Sequence, residues 1–339
     1  MMALRPLTAK AWTPSGSATV LFPPTRFFAR FMLIDYAAIT HPGRVRKNNE
    51  DAYLVSGVDG EEPQVNGAGK TPKHCSHGLL AAVADGMGGA AAGEIASREG
   101  VAAVAVYMFG HWGILPPAEA SETILVKALQ GAATQASEAV LRWSDSERSA
   151  RGMGSTLTAA MVWKGQVYFA QVGDSRAYLF RRGRLTQLTV DQTLVNEMVN
   201  AGTITAEQAR THPQRNMITQ ALGCPQPVKP IMGRVSLRRG DRLLICSDGL
   251  HGEVPDAEIR EVLMGSWSPK KSLELLVGKA LAHGGRDNVT GLLLAMDDLG
   301  LPLPEDSELG LPRVEDPFLP RPVKKDISGK FRSMFGGKG

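Results

Sequence analysis

The chain has 339 residues, 43% of them hydrophobic and 21% charged, enough to bury one large core or two smaller ones. Its net charge of +4, from 38 basic and 34 acidic residues, is spread along the chain. That argues against the clustered basic stripe of a nucleic-acid surface and suits an anionic substrate such as a phosphate ester. Three cysteines, Cys75, Cys224 and Cys246, argue against a disulfide framework, and no apolar stretch is long enough to span a bilayer. A soluble cytoplasmic protein is expected.

Residues 1–31 contain no Asp or Glu and carry Pro6, Pro14, Pro23 and Pro24. Lack of acids is a mark of transit peptides, but the prolines interrupt any long amphipathic helix. A start codon placed upstream of a true start at Met32 is a further reading. The leading one is a disordered, dispensable extension. Phe31 to Tyr36 then suit a first strand.

The segment from His41 to Val55 runs from a turn-rich basic stretch, with Arg46, into Glu50-Asp51 and a short strand. Adjacent residues of an extended chain point to opposite sides, so only one of these two acids can face a given ligand. Judged alone, the segment fits a solvated charged turn equally well. Residues 57–77 form a Gly-rich polar insertion. His74, Cys75 and His77 match no common zinc spacing, and a surface loop is expected.

Leu79 to Ala84 is an apolar run that ends in Asp85-Gly86-Met87-Gly88-Gly89 and an Ala-rich segment. The order suggests a buried strand delivering a carboxylate to a sheet edge. An isolated Asp-Gly is more often a plain turn. The recurrence of the pattern in Arg242 to Gly249, around Asp248, argues for more than that.

Ala90 to Met108 reads as a helix of small residues. Ser121 to Trp143 reads as an amphipathic helix with Ile124, Leu125, Ala128, Leu129, Ala132, Ala139, Val140 and Trp143 on its buried face. Ser155–Trp163, Gln166–Val172 and Arg176–Phe180 read as antiparallel strands. Lys164-Gly165 and Gly173-Asp174-Ser175 supply their turns. Arg181-Arg182-Gly183-Arg184 looks like an exposed hairpin tip whose charge serves solvation.

Thr189 to Gly223 is polar and helical with little core content, including short helices near 194–201 and 206–210. It has the composition of a flap. Arg242–Ser247 reads as a central strand, Ala257–Met264 and Leu273–Ala282 as helices, and Val289–Met296 as a last strand that opens just after Asp287. From residue 298 a Pro-rich acidic stretch gives way to a basic-aromatic end around Lys324 to Phe335. A disordered tail is expected. Docking on a membrane surface or a partner is the weaker reading of that end.

Asp85, Asp248 and Asp287, with Glu50, Asp51 and Asp174 in reserve, come from distant parts of the chain. No His or Cys pair accompanies them. Hard carboxylate oxygens suit Mg²⁺ or Mn²⁺. So many acids could not cluster ionised without a cation. Two divalent ions would relieve the repulsion and activate a water toward phosphorus, and the guanidinium of Arg46 could bind phosphoryl oxygens. The chemistry reached is metal-assisted phosphate-ester hydrolysis, provided the acids converge.

In order, the segments from Met32 to Asp297 resemble the metal-dependent protein serine/threonine phosphatases of the protein phosphatase 2C family, particularly its bacterial branch. The residues that carry the resemblance are Arg46 with Asn49-Glu50-Asp51, Asp85-Gly86-Met87-Gly88-Gly89, Gly154-Ser155-Thr156 and Gly173-Asp174-Ser175-Arg176. They continue with Leu188-Thr189-Val190-Asp191, His212-Pro213 with Arg215-Asn216, Ser247-Asp248-Gly249 and Gly285-Arg286-Asp287-Asn288. The resemblance implies an α+β fold, a four-layer αββα sandwich of two central antiparallel sheets flanked by helices. It implies a catalytic domain at 32–297, with its flap at 189–223, between the 1–31 extension and the 298–339 tail.

By the same resemblance Asp85, Asp248 and Asp287 hold one Mn²⁺ or Mg²⁺. Asp85, the Gly86 carbonyl and, through water, Glu50 hold a second, and Asp51 supports them from behind. Asp174 with Asp248 suits the third ion found in some members, and Arg46 binds substrate phosphate. The implied partners are phosphoserine and phosphothreonine proteins, with a cognate bacterial Ser/Thr kinase to oppose. A monomer without nucleic acid or membrane span is expected. Two positions depart from the pattern. Met87 stands where eukaryotic members carry a histidine proposed as general acid, so protonation of the leaving group would fall to a metal-bound water or another group. Gln192-Thr193 stands where His-Ser is usual. A catalytically silent phosphoprotein-binding module of the same fold is the rival reading, and the intact acidic set argues against it.

Overall fold

The computed structural model describes residues 34–58, 65–66, 77–88, 92–305 and 314–319. One sheet carries β1 (Asp35–His41), β7 (Arg176–Arg181), β8 (Arg184–Gln187), β10 (Asp241–Cys246) and β11 (Val289–Met296), in the order β1-β11-β10-β7-β8. The second carries β2 (Asp51–Gly57), β3 (Leu79–Met87), β5 (Leu157–Trp163), β6 (Gln166–Val172) and β9 (Ile231–Ser236), in the order β2-β3-β5-β6-β9. The two-residue β4 (Gly154–Ser155) pairs with the end of β3. Every one of these pairings is antiparallel.

The sheets stack on an apolar layer that includes Val83, Val162, Phe169, Leu179, Ile245 and Leu292. Helices α1 (Ala92–Met108) and α2 (Glu122–Ser146) cover the outer face of the second sheet through Val104, Leu129 and Val140. On the outer face of the first sheet lie α6 (Asp256–Met264) and α7 (Pro269–Ala282), with Ile259, Leu273 and Leu276 against Leu244 and Leu293. Strands covered on both faces cannot alternate, and β5, β6 and β11 are accordingly buried at every position. The result is the αββα sandwich expected from the resemblance.

The segment 189–223, expected as a flap, holds α3 (Leu194–Asn200) and α4 (Ala206–Thr211), close to the predicted helices. Thr193 caps α3 and Thr205 closes a capping box with Gln208. This local chemistry explains how two short helices persist with Val195 as the one buried helical side chain of α3.

Several expectations are corrected. The first strand begins at Asp35, because pairing with β11 spans Asp35 to His41. His77 is buried, not on a loop surface: its Nε2 meets the Leu115 carbonyl at 2.7 Å and its carbonyl accepts from Trp112 Nε1 at 2.8 Å. His74 and Cys75 lie outside the described residues, as do Gly89 and the 1–31 extension. Ile124 and Trp143, placed in the helix core by spacing, are each 38% exposed at the edge of that face.

Arg181, read as solvating a hairpin tip, is buried and grips Asp241 through Nε at 2.8 Å and Nη2 at 2.7 Å. The tip itself is Arg182-Gly183, both at positive φ as a tight primed turn requires. Within the tail, residues 298–305 and 314–319 are described and make specific contacts, while 324–335 lies outside the described residues. Leu301 is buried, and Glu315 bridges the free edge of β9 by reciprocal backbone hydrogen bonds with Arg234. An edge strand offers unpaired amides and carbonyls, and here the chain's own tail meets them.

Candidate active site

The antiparallel pairings bring six strand ends to one end of the sandwich. The end of β1 lies beside the start of β11 (His41 opposite Val289), and the end of β10 beside the start of β7 (Cys246 opposite Arg176). In the other sheet the start of β2 lies beside the end of β3, with Asp51 opposite Asp85. At this same end the chain crosses between the sheets twice, through 42–50 from β1 to β2 and through 173–175 from β6 to β7. The predicted acids lie at these strand ends, on the crossovers or within two residues of them: Asp51 opens β2, Asp85 is near the end of β3, Asp248 follows Ser247 after β10, and Asp287 precedes β11 by two residues.

Asp85 closes the apolar run of β3. Its backbone is held by Thr156, whose Oγ1 accepts from the Asp85 amide at 2.9 Å and whose amide donates to the Asp85 carbonyl at 2.8 Å. The Gly86 amide donates to the Glu50 carbonyl at 3.0 Å. A side chain at Gly86 would drive its Cβ to 2.0 Å from the Gly93 carbonyl, so the turn needs glycine. Gly93 itself leaves room for the Glu50 carboxyl, which a Cβ would meet at 2.8 Å.

Glu50 and Asp51 point apart, as adjacent residues of a strand start must. Glu50 is half-buried at the mouth. Asp51 is buried beneath and accepts from Ser247 Oγ at 2.7 Å. Asp248 opens the short turn α5 (Asp248–His251) directly after β10. Asp287 precedes β11 and pairs with Arg46 Nη2 at 2.8 Å. Asp174 sits on the 173–175 crossover, half-buried. Glu50, Asp51, Asp85, Asp174, Asp248, Asp287 and Arg46 thus share one end of the molecule.

Their electrostatics reflect crowding. Burial pushes the Asp51 carboxyl up to about 7, with Asp248 and Asp287 adding to the effect and Thr290 and Ser247 hydrogen bonds opposing it. Burial does the same to Asp174, also to about 7, reinforced by the charges of Asp248 and Asp191. Asp85 is driven well above the carboxylate range by burial and then by Asp51, Asp248 and Asp174. Burial raises Asp248 and Glu50 as well.

Among the described residues no three acid, His or Cys side chains are already closed into a ligand cage. Two atoms nevertheless require a partner. Asp51 Oδ1 and Asp248 Oδ1 are buried without a hydrogen bond. A buried carboxylate oxygen left unpaired is costly, and a cation is the partner that also relieves the crowding of like charge. The donor set is oxygen throughout, which fits Mg²⁺ or Mn²⁺ and not a dedicated zinc site.

Several supporting residues escaped the sequence reading. Asn288 accepts from the Glu50 amide at 2.7 Å and donates to the Pro42 and Asn48 carbonyls at 2.9 and 2.8 Å, stapling the Arg46 loop to β11. Its place beside Asp287 was the signal available. Ser247 links Asp51 to the Thr290 amide, which donates to Ser247 Oγ at 3.0 Å. Met87 lies half-exposed at the mouth, opposite Gly154 on β4, with no proton to donate.

A family model for protein phosphatase 2C matches residues 71–273. The serine/threonine phosphatase stp of Listeria monocytogenes serotype 4b is 36% identical over 258 residues, covering 76% of this chain and 94% of that protein. Among solved structures, the Mycobacterium tuberculosis serine/threonine phosphatase PstP/Ppp matches with a TM-score of 0.64 at 36% identity, over 78% of this chain and 99% of that one. The catalytic domain of serine threonine protein phosphatase PstP in complex with two manganese ions matches with a TM-score of 0.62 at 34% identity, over 78% and 98% of the two chains.

Proposed function

The chain belongs to the protein phosphatase 2C family, and from that premise we propose how its cleft works as a metal-dependent protein serine/threonine phosphatase. The substrates are phosphoserine and phosphothreonine proteins, and the cofactor is Mn²⁺ or Mg²⁺, as in the manganese-bound relative. The observation that carries the reading is the meeting of six acids from separate strand ends, two of them with buried, unpartnered oxygens.

Asp85, Asp248 and Asp287 would hold one ion. Asp85, the Gly86 carbonyl and Glu50 would hold the other, with Asp51 bracing the set through Ser247 and Asp174 with Asp248 offering a third position. When bound, the ions supply Lewis acidity toward the phosphoryl oxygens and lower the pKa of water to that of a usable nucleophile. The residues of the chain do the rest. Arg46, exposed at the mouth and paired only on one edge of its guanidinium to Asp287, can turn its fork to phosphoryl oxygens. In the hydrolysis the oxygen of water joins phosphorus as the bond to the seryl or threonyl oxygen breaks, and that oxygen leaves with a proton. Met87 cannot give it, so this proton does not come from the position used by eukaryotic members.

A silent phosphoprotein-binding module is not favoured, because nothing in the acidic set is missing. The finer setting remains our reading: a catalytic domain spanning 32–297, a cytoplasmic location and an opposing Ser/Thr kinase. The scarcity of cysteine supports that location, and no described helix is long and apolar enough to cross a membrane. Manganese-dependent release of phosphate from a phosphothreonine peptide tests the function. Absence of release with Mn²⁺, together with an Asp248→Asn protein indistinguishable from the parent, would overturn it.

A further inference from the structure

The 173–175 crossover that carries Asp174 is gripped from three directions. From within the sandwich, Thr156 Oγ1 meets Ser175 Oγ at 2.6 Å and Thr158 Oγ1 donates to the Ser175 carbonyl at 2.7 Å. Gly173 has φ +92°, and a Cβ there would lie 2.8 Å from the Thr156 side chain, so the crossover has little freedom of its own.

The second grip comes from the root of the flap. Gln192 Oε1 accepts from the Gly173 amide at 2.7 Å, and the Gln192 amide donates to the Gly173 carbonyl at 3.0 Å. The same residue holds the returning end of the flap: its carbonyl accepts from the Thr219 amide at 2.8 Å, and its Nε2 donates to the Lys229 carbonyl at 3.2 Å. Gln192 therefore touches the outgoing chain, the returning chain and the crossover. Asp191 beside it clasps Arg176 through Nε and Nη2 at 2.9 and 2.6 Å, two residues past Asp174.

The third grip comes from α5. His251 Nε2 lies 3.1 Å from the Asp174 carbonyl. A carbonyl only accepts, so Nε2 carries the proton. His251 is three residues after Asp248, on the turn that Asp248 opens. The bond thus ties the backbone that bears Asp174 to the backbone that bears Asp248.

We propose that His251 and Gln192 are positioning residues that hold the Asp174 crossover from opposite sides, so that the cation taken up by Asp174 with Asp248 is coupled to the setting of the flap. This rests on the proposed role of Asp174 as a ligand. Neither residue needs to touch metal or substrate. Partners of this kind set ligand orientation, and their loss typically lowers metal affinity about 10- to 100-fold.

The test uses the full chain, stripped of metal and titrated with Mn²⁺ by calorimetry, with hydrogen exchange of amides 193–218 followed in parallel. Asp174→Asn identifies the binding step that depends on Asp174. His251→Ala and Gln192→Ala should weaken that same step at least about tenfold while leaving the other steps unchanged. His251→Gln, which retains an amide donor, should recover most of the loss. Saturating Mn²⁺ should slow exchange across 193–218 in the parent and slow it less in Gln192→Ala. Unaltered isotherms in His251→Ala and Gln192→Ala, with the step still lost in Asp174→Asn, overturn the positioning roles alone. An Asp174→Asn isotherm equal to the parent's overturns the ligand role beneath them. Should His251→Ala or Gln192→Ala prove unfolded by circular dichroism, the same titration of His251→Gln and Gln192→Glu decides. Gln192→Glu keeps the acceptor for the Gly173 amide and loses the donor to Lys229. A parent-like step in both supports the proposal; a step lost in both despite native folds overturns it.

Discussion

The chain buries charge in two ways, and the contrast separates scaffold from site. At the far side of the sheets, Arg181 and Asp241 are both buried and meet in a two-point fork, with the Ser236 carbonyl and the Arg238 amide taking the remaining valences. Arg234, 3% exposed, joins Glu122 of α2, Glu315 of the tail and the Leu319 carbonyl. Each buried cation there has its anion. At the cleft six acids gather, Arg46 pairs with one of them, Asp287, and among the described residues two carboxylate oxygens of the set, Asp51 Oδ1 and Asp248 Oδ1, have no hydrogen-bond partner. Burial of charge alone marks neither place as functional. Surplus of one sign does, because folding gains nothing from it and a cation completes it.

The largest effect should come from deleting a cleft acid. Asp248→Asn should lower Mn²⁺-dependent kcat/KM on a phosphothreonine peptide by at least about 10³-fold, since it removes a ligand from the reacting centre. It should also leave the metal-free protein no less stable in urea, because one repelling charge is gone. A strongly destabilised variant would blur the contrast.

Next come the paired charges. Arg181→Ala should cost about 3–5 kcal/mol of stability by urea titration, because it strands Asp241. Activity per folded molecule should stay at the parent level; loss of activity in the folded fraction would mean that the pair serves the site as well. Smaller again is the effect of metal on folding. Mn²⁺ at 100 times its dissociation constant should raise stability by about 2.7 kcal/mol, read as a shift of the thermal midpoint that a chelator reverses. No shift would show that the surplus acids are not a cation site.

Arg46→Ala should raise KM about tenfold, equivalent to about 1.4 kcal/mol, with the Mn²⁺ isotherm unchanged. Loss of metal affinity with KM intact would assign Arg46 to the acids instead of the phosphate. The smallest effect lies at the Glu253–Arg286 pair, whose arginine is exposed, where the hydrogen bond to Arg286 draws Glu253 below its ordinary 4.5. A carboxyl lowered in the folded state contributes above its unfolded pKa and loses the contribution as pH falls through the folded one. The difference in stability between the parent and Glu253→Gln should therefore be present at neutral pH and vanish in the acid range below 4.5. A difference that persists at lower pH would point to packing.

The strand-end acids were legible because each interrupts an apolar run: Asp85 after Leu79–Ala84, Asp248 after Leu243–Ser247, Asp287 before Val289. The sandwich could be read from the order of such runs and from the family resemblance. Arg181 was misread because its partner Asp241 is 60 residues away, and nothing local distinguishes a buried arginine from a solvated one. The part played by His251 was invisible for the same reason, its acceptor being a backbone carbonyl 77 residues distant. Backbone partners leave no mark on composition or period.

By itself, the sequence determined which residues end strands, which stretches alternate between core and mouth, and that the acids outnumber any nearby base. Those are local properties, set by where an apolar run stops and by the residue that comes next. Only the tertiary structure decided which acids meet. Antiparallel pairing placed Asp51 opposite Asp85, brought the end of β10 beside the start of β7, and carried Asp174 across the gap between the sheets. Register is a property of pairs of strands, and a charge becomes surplus or satisfied only once its neighbours from elsewhere in the chain have arrived.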